Sequence, residues 1–161
     1  MEIYGYKCFN KDMTNRYGKP IEIGKTYSTT NEVKFGNDGN GYHFCKNMED
    51  TFRYFPATEE EVSVCYVKGF GNIDEYEDDY NGYYDMYAAE SIEIIKKLER
   101  NEIINYALNL PSYRVERFIQ TFKLNNDEIE LFKDKFSKNI DVINAISYYQ
   151  LGDKEVYNRR K

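Results

Sequence analysis

Between Ile3 and Lys97 apolar residues alternate with polar ones or gather in short runs, and from residue 99 onward they recur every three or four positions. The first pattern belongs to half-buried strands and the second to amphipathic helices. Ile3, Tyr4, Tyr6, Cys8 and Phe9 make a short aromatic strand that stops at the turn-forming cluster Asn10-Lys11-Asp12. Pro20 opens a strand Ile21-Glu22-Ile23, Gly24 interrupts it, and residues 26–30 continue. A strand over residues 33–35 leads to the glycine-rich loop 36–41, and the strand Tyr42-His43-Phe44-Cys45 follows. Asn47 is placed to cap a short helix over about 47–55, with Glu49 and Asp50 in its first turn and Pro56 past its end. Residues 62–67, rich in β-branched side chains, form the clearest strand, which Gly69 ends. The acidic stretch 74–82 reads as an exposed loop, and a last strand lies within 88–97.

Beyond residue 99, Ile103, Ile104, Ala107 and Leu108 make one stripe before Pro111; Val115, Phe118, Ile119 and Phe122 make a second. A third helix after Asn125-Asn126 carries Ile129, Phe132 and Phe136, and a fourth carries Ile140, Ile143 and Ile146 or its neighbours and closes at Gly152. Stripes of this kind must be buried, so the tail is a small helical bundle. The fold class expected is α+β: residues 1–98 as a mostly antiparallel sheet with one short helix, and residues 99–161 as a helical tail packed on it or standing as a small subdomain.

Charge sharpens the division. Residues 1–98 hold 11 Lys and Arg against 18 Asp and Glu, whereas residues 99–161 hold 11 against 10. An acidic N-terminal part argues against nucleic-acid binding, which needs clustered cations on phosphates. No stretch is apolar enough to span a bilayer, and three cysteines without a close pair fit a reduced compartment, so the expected location is cytoplasmic, with no membrane contact. The 17 Tyr and 10 Phe supply apolar surface that can still meet water, which suits contact with a protein partner.

Four residues, Cys8, His43, Cys45 and Cys65, make a formal zinc set, but they lack the close pairing of structural zinc sites and read as core residues; no metal is expected. An EF-hand alignment of Glu77, Asp79 and Asn81 fails at Ala88, where a bidentate Glu is required. Cys45 beside His43 lacks the electropositive setting a reactive thiol needs. No phosphate loop or dinucleotide fingerprint occurs.

Three ordered motifs carry a resemblance. Tyr6-Lys7-Cys8-Phe9-Asn10-Lys11-Asp12-Met13-Thr14, Gly24-Lys25-Thr26-Tyr27, and Gly41-Tyr42-His43-Phe44-Cys45-Lys46-Asn47 resemble a family common in bacterial phages and prophages, over about the first 95 residues. That resemblance implies a phage or prophage context; together with the lack of a catalytic constellation and the many tyrosines, the expectation is an accessory protein that binds a host or phage protein, without a cofactor. Gly41, Phe44 and Tyr54 also fall at the spacing of a motif in polymerase-type ADP-ribosyltransferases. This second resemblance implies an alternative: an NAD site with His43 and Tyr54 holding the nicotinamide, Lys7 on the ribose or phosphate, and Glu90 stabilising an oxocarbenium-like transition state.

Overall fold

Alternation along the first residues produces β1 (Glu2–Asn10), which lies antiparallel to β4 (Val62–Tyr76) over its whole length, from Glu2 opposite Phe70 to Asn10 opposite Val62. The computed structural model describes residues 1–36, 39–55, 61–76 and 85–160, and the chain divides into two units, one built from Met1–Phe55 with Glu61–Leu98 and the other from Glu99–Lys161. In the first unit, β2 (Thr26–Ser28), β3 (Tyr42–Cys45) and β5 (Met86–Lys97) complete an antiparallel sheet of order β2-β5-β3-β1-β4. Because β4 also pairs with β5, the strands β1, β4, β5 and β3 close into a ring. The closure is uneven: β1 and β3 meet at the single pair Tyr6 and Cys45.

The inward face of the ring is mainly apolar. Phe9, Phe44, Cys65, Val67, Ile92 and Ile94 are buried in one cluster. Each large apolar side chain in such a cluster contributes about 1.5–3 kcal/mol by leaving water. Two glycines make the packing possible. A Cβ on Gly69 would stand 2.5 Å from the Phe44 ring, and one on Gly5 would stand 2.4 Å from the Cys45 carbonyl oxygen.

Several sequence expectations are corrected here. Gly69 does not end β4: its missing side chain admits Phe44, and the strand runs on to Tyr76. Asp74, Glu75 and Tyr76 therefore belong to a paired strand rather than to an exposed loop; residues 77–84 lie outside the described residues. Residues 21–23 form no strand, because the backbone there is spent on the preceding turn, with Ile21 N–H donating to the Met13 carbonyl. Residues 33–35 hold only an isolated bridge between Lys34 and Asn40. The helix after Asn47 is α1 (Met48–Thr51), a single turn whose four residues are all buried, and the Asn47 side chain makes no capping bond. Finally, β5 begins at Met86, two residues before Ala88.

The second unit contains α2 (Arg100–Leu108), α3 (Ser112–Thr121), α4 (Asn126–Lys135) and α5 (Ile140–Ala145), with α5 running into a wider turn over Ile146–Gln150. The stripes of α2, α3 and α4 turn inward as their period requires, but the fourth is corrected: Val142, Ala145 and Ile146 are buried while Ile140 is 61% exposed. Phe122, Phe118, Phe132 and Phe136 stack in that order at centroid separations of 4.8, 6.0 and 6.4 Å. Asn125 and Glu128 form a reciprocal capping box at the start of α4. Gly152 adopts the left-handed conformation (φ 75°) that ends the last turn.

One buried polar side chain ties this unit together. The Gln150 amide donates to the Ile119 and Phe122 carbonyls at 2.7 and 2.8 Å, and its oxygen accepts from the Leu124 N–H at 3.0 Å. Three backbone groups at the end of α3 depend on it. Gln150→Leu is expected to cost about 2 kcal/mol of stability by leaving these groups without partners in a dry site, read as a lower midpoint in urea unfolding with an unchanged slope.

Candidate ligand-binding site

Where the β1–β3 ladder stops after its single pair, the two strands leave a space between their edges. This space is a cavity of about 370 Å³. Consecutive residues of both strands line it, Tyr6 to Phe9 on one side and Tyr42 to Cys45 on the other, as a gap between strand edges demands. Aromatic side chains supply much of the wall, with Tyr27, Phe35 and Tyr54 joining Phe9, Tyr42 and Phe44.

Lys7 enters this space from the inward face. Its register opposite Cys65 sets it on the same face as Phe9, and its ammonium lies 5.8 Å from the Phe9 ring centroid. The ammonium donates to the His43 carbonyl oxygen across the split. Burial pulls its pKa down from 10.5 to about 8, against a weaker opposing pull of Cys45 and Cys8, and the positive charge of Arg16 adds the smallest contribution, in the same direction as burial. Among the described residues Lys7 has no carboxylate partner.

Arg16 reaches the cavity from a tightly bonded loop. The Asn10 side-chain amide donates to Thr14 Oγ1 and to the Asn15 carbonyl, while Asn15 Oδ1 accepts from the Tyr17 and Lys19 N–H groups. These Asx contacts fix the turn that follows β1 and aim its tip at the cavity. The Arg16 guanidinium donates to the Tyr54 carbonyl at 3.3 Å. No sequence signal marked Arg16, since its place depends on how the loop folds back.

His43 is fully satisfied by backbone. Its Nε2 accepts from the Gly36 N–H at 3.1 Å, so Nδ1 carries the proton and donates to the Gly41 carbonyl at 3.2 Å. One ring face is already occupied by Phe35, at a centroid separation of 4.8 Å, and Phe35 in turn is anchored by its N–H donating to Asp74 Oδ2 at 2.7 Å. Burial, with help from Lys7 and Arg16, holds the imidazole below its ordinary pKa of 6.5. The unfolded chain therefore takes up this proton first as the pH falls. Stability from this group is present above about pH 6.5 and declines below it. His43→Gln is expected to flatten that acid-side decline in a pH series of urea midpoints.

Tyr54 also lines the cavity, with its hydroxyl donating to Met86 Sδ at 3.0 Å. Glu90 does not line it. Its Oε1 accepts from the Asn72 N–H at 3.0 Å and lies against Gly71, in the irregular stretch of the β4–β5 pairing. Lys7, His43 and Tyr54 thus come together, while Glu90 serves the opposite pairing of β5. The three thiols are buried; burial pushes Cys8 up to about 12 and Cys65 to about 11, and raises Cys45 as well, which leaves all three protonated and unreactive at neutral pH. Among the described residues no group of three His, Cys, Asp or Glu side chains could hold a metal ion, and no helix is long and apolar enough to cross a membrane.

The fold and the cavity define an α+β domain with an antiparallel sheet and an aromatic-lined internal space. The chain belongs to the DUF7666 family, a domain of unknown function whose model matches residues 3–106. Neither a curated protein nor a solved structure matches the chain. The family's description names no activity and no phage setting.

Proposed function

We propose that the N-terminal domain is a binding module that holds a small organic ligand in the cavity at the β1–β3 split, without transforming it. The observation that carries this reading is the cavity itself: about 370 Å³, rich in aromatic side chains, with two cationic side chains in its lining. A concave apolar space with a few convergent polar groups is the usual form of a ligand site. Catalysis is left out because the chemistry proposed for ADP-ribosyl transfer needs a carboxylate at the ribose, and Glu90 is bonded to the β4 backbone elsewhere. The test is a ligand screen on the full chain by protein-observed NMR, with one- and two-ring compounds and NAD in the panel. Resonances of Lys7, Phe35 and Tyr42 should shift together and saturably. A screen in which no compound perturbs these residues would refute the reading.

A second reading, contact with a protein partner, is favoured by a separate feature. On the outward face of the β1–β4 pair, Tyr66 stacks on Tyr4 at 5.8 Å and meets Tyr6 at 5.5 Å, and Tyr4 remains 46% exposed. Rigid, partly exposed tyrosines are favoured contact residues. A partner captured by the wild-type chain should be lost with Tyr4→Ser and Tyr66→Ser and retained with Lys7→Met; equal capture by all three would exclude this face.

A further inference from the structure

We infer that the cavity takes a small aromatic anion, its carboxylate or phosphate held between Lys7 and Arg16 and its ring packed against the aromatic wall. This rests on the ligand-binding reading and adds the chemical class of the ligand. The first support is electrostatic. Lys7 is set in a cavity where its ammonium meets one backbone carbonyl and one aromatic ring, and neither it nor Arg16 forms an ion pair among the described residues. Two cations facing one space repel each other, and Lys7, the deeper of the two, also loses hydration there, a cost that an anion between them offsets. They are placed so in a region that carries 18 Asp and Glu against 11 Lys and Arg, where carboxylates to neutralise them are plentiful.

The second support is the match between donors and anion. A guanidinium offers a planar fork that suits carboxylate and phosphate oxygens, and an ammonium supplies a compact charge beside it. Arg16 is exposed and stands on a braced turn, so it can meet an entering anion, whereas Lys7 is partly buried and receives it deeper in. The wall completes the specification: Phe35 already tilts against His43, and Tyr42 and Tyr27 offer further faces for one added ring. A volume of about 370 Å³ lies near the small end for ligand sites and suits one or two rings rather than a dinucleotide.

The test is calorimetric titration of the full chain with benzoate and phenyl phosphate, and with benzamide as the neutral counterpart of benzoate. Benzoate should bind at least about tenfold more tightly than benzamide. Lys7→Met should erase that preference, and Arg16→Met, a change in an exposed turn that leaves the core untouched, should weaken benzoate by about five- to tenfold. Benzoate stays ionised throughout the alkaline range, so its affinity should fall as the pH rises through the titration of Lys7 and show no such fall in Lys7→Met. Phenyl phosphate binding more tightly than benzoate would assign the natural group as a phosphate, and the reverse order as a carboxylate; either supports an anion. Benzamide binding as well as benzoate would overturn the anion assignment while leaving a ligand site in place. Failure of all three probes, together with a silent NMR screen, would overturn both.

Discussion

Lys7→Met is expected to make the ligand-free protein more stable while removing its hold on an anion. Folding pulls the Lys7 pKa from 10.5 to about 8, chiefly through desolvation, so at neutral pH the folded chain keeps an ammonium in a place that disfavours it. Each unit of such a shift corresponds to about 1.4 kcal/mol, which puts the penalty at about 2–3 kcal/mol once partial solvent access is allowed for. Between about pH 8 and 10.5 the unfolded chain binds the proton and the folded chain does not, so wild-type stability should climb with pH across that window. Below it the penalty is fully present. Methionine keeps the length and apolar stem without the charge, so the variant should start higher at neutral pH and show no climb. Urea unfolding at several pH values reads both effects. A less stable variant, or an unchanged climb, would mean that Lys7 is a structural group rather than one kept for a ligand.

Gly5→Ala should be the most damaging single-atom change in the first unit. The added Cβ would stand 2.4 Å from the Cys45 carbonyl oxygen, a backbone atom that cannot rotate away, and 3.0 Å from the Phe44 ring. Gly5 precedes Tyr6, whose pairing with Cys45 is the one contact in register between β1 and β3. Forcing the strands apart there breaks that pair and lifts Phe44 out of its place. Overpacking usually costs about 1–3 kcal/mol, and a clash with backbone at a single-pair junction belongs at or above the top of that range. The expected result is a loss of about 3 kcal/mol or more in denaturant unfolding. Gly152→Ala, with open space around its Cβ and only a positive φ to oppose it, should cost about 1 kcal/mol and serves as the comparison.

The helical unit was readable from the sequence because its first three apolar stripes keep the helical period and its ends carry local signals such as Asn125 and Glu128. In the fourth helix, by contrast, the run of isoleucines pointed to Ile140 when the buried face is Val142, Ala145 and Ile146. The strand at Tyr42–Cys45 was equally plain, bounded by glycine on one side and a helix start on the other. Glycine misled at Gly69, since the same residue can end a strand or admit a neighbouring ring, and only the position of Phe44 decides between them. Nor could the ring closure be read, because pairing of β1 with β3 joins residues about 40 positions apart and leaves no mark in local pattern. Of the residues singled out beforehand, Lys7, His43 and Tyr54 come to one cavity, but the irregularity between Phe70 and Ile73 in the β4–β5 pairing turns Glu90 toward β4. Arg16 went unnoticed because a charged residue in a turn looks the same whether it faces water or a cavity.

The single pair between β1 and β3 makes that junction the hinge line of the whole sheet. Every other closure of the ring is a ladder of several pairs, so thermal breathing concentrates where the fewest backbone bonds must part, and amide exchange should run fastest there. A molecule lodged across the gap would act as a rivet. It would borrow its affinity from two strands that otherwise barely hold each other, and lend them rigidity in return, so that occupancy and resistance to opening rise together.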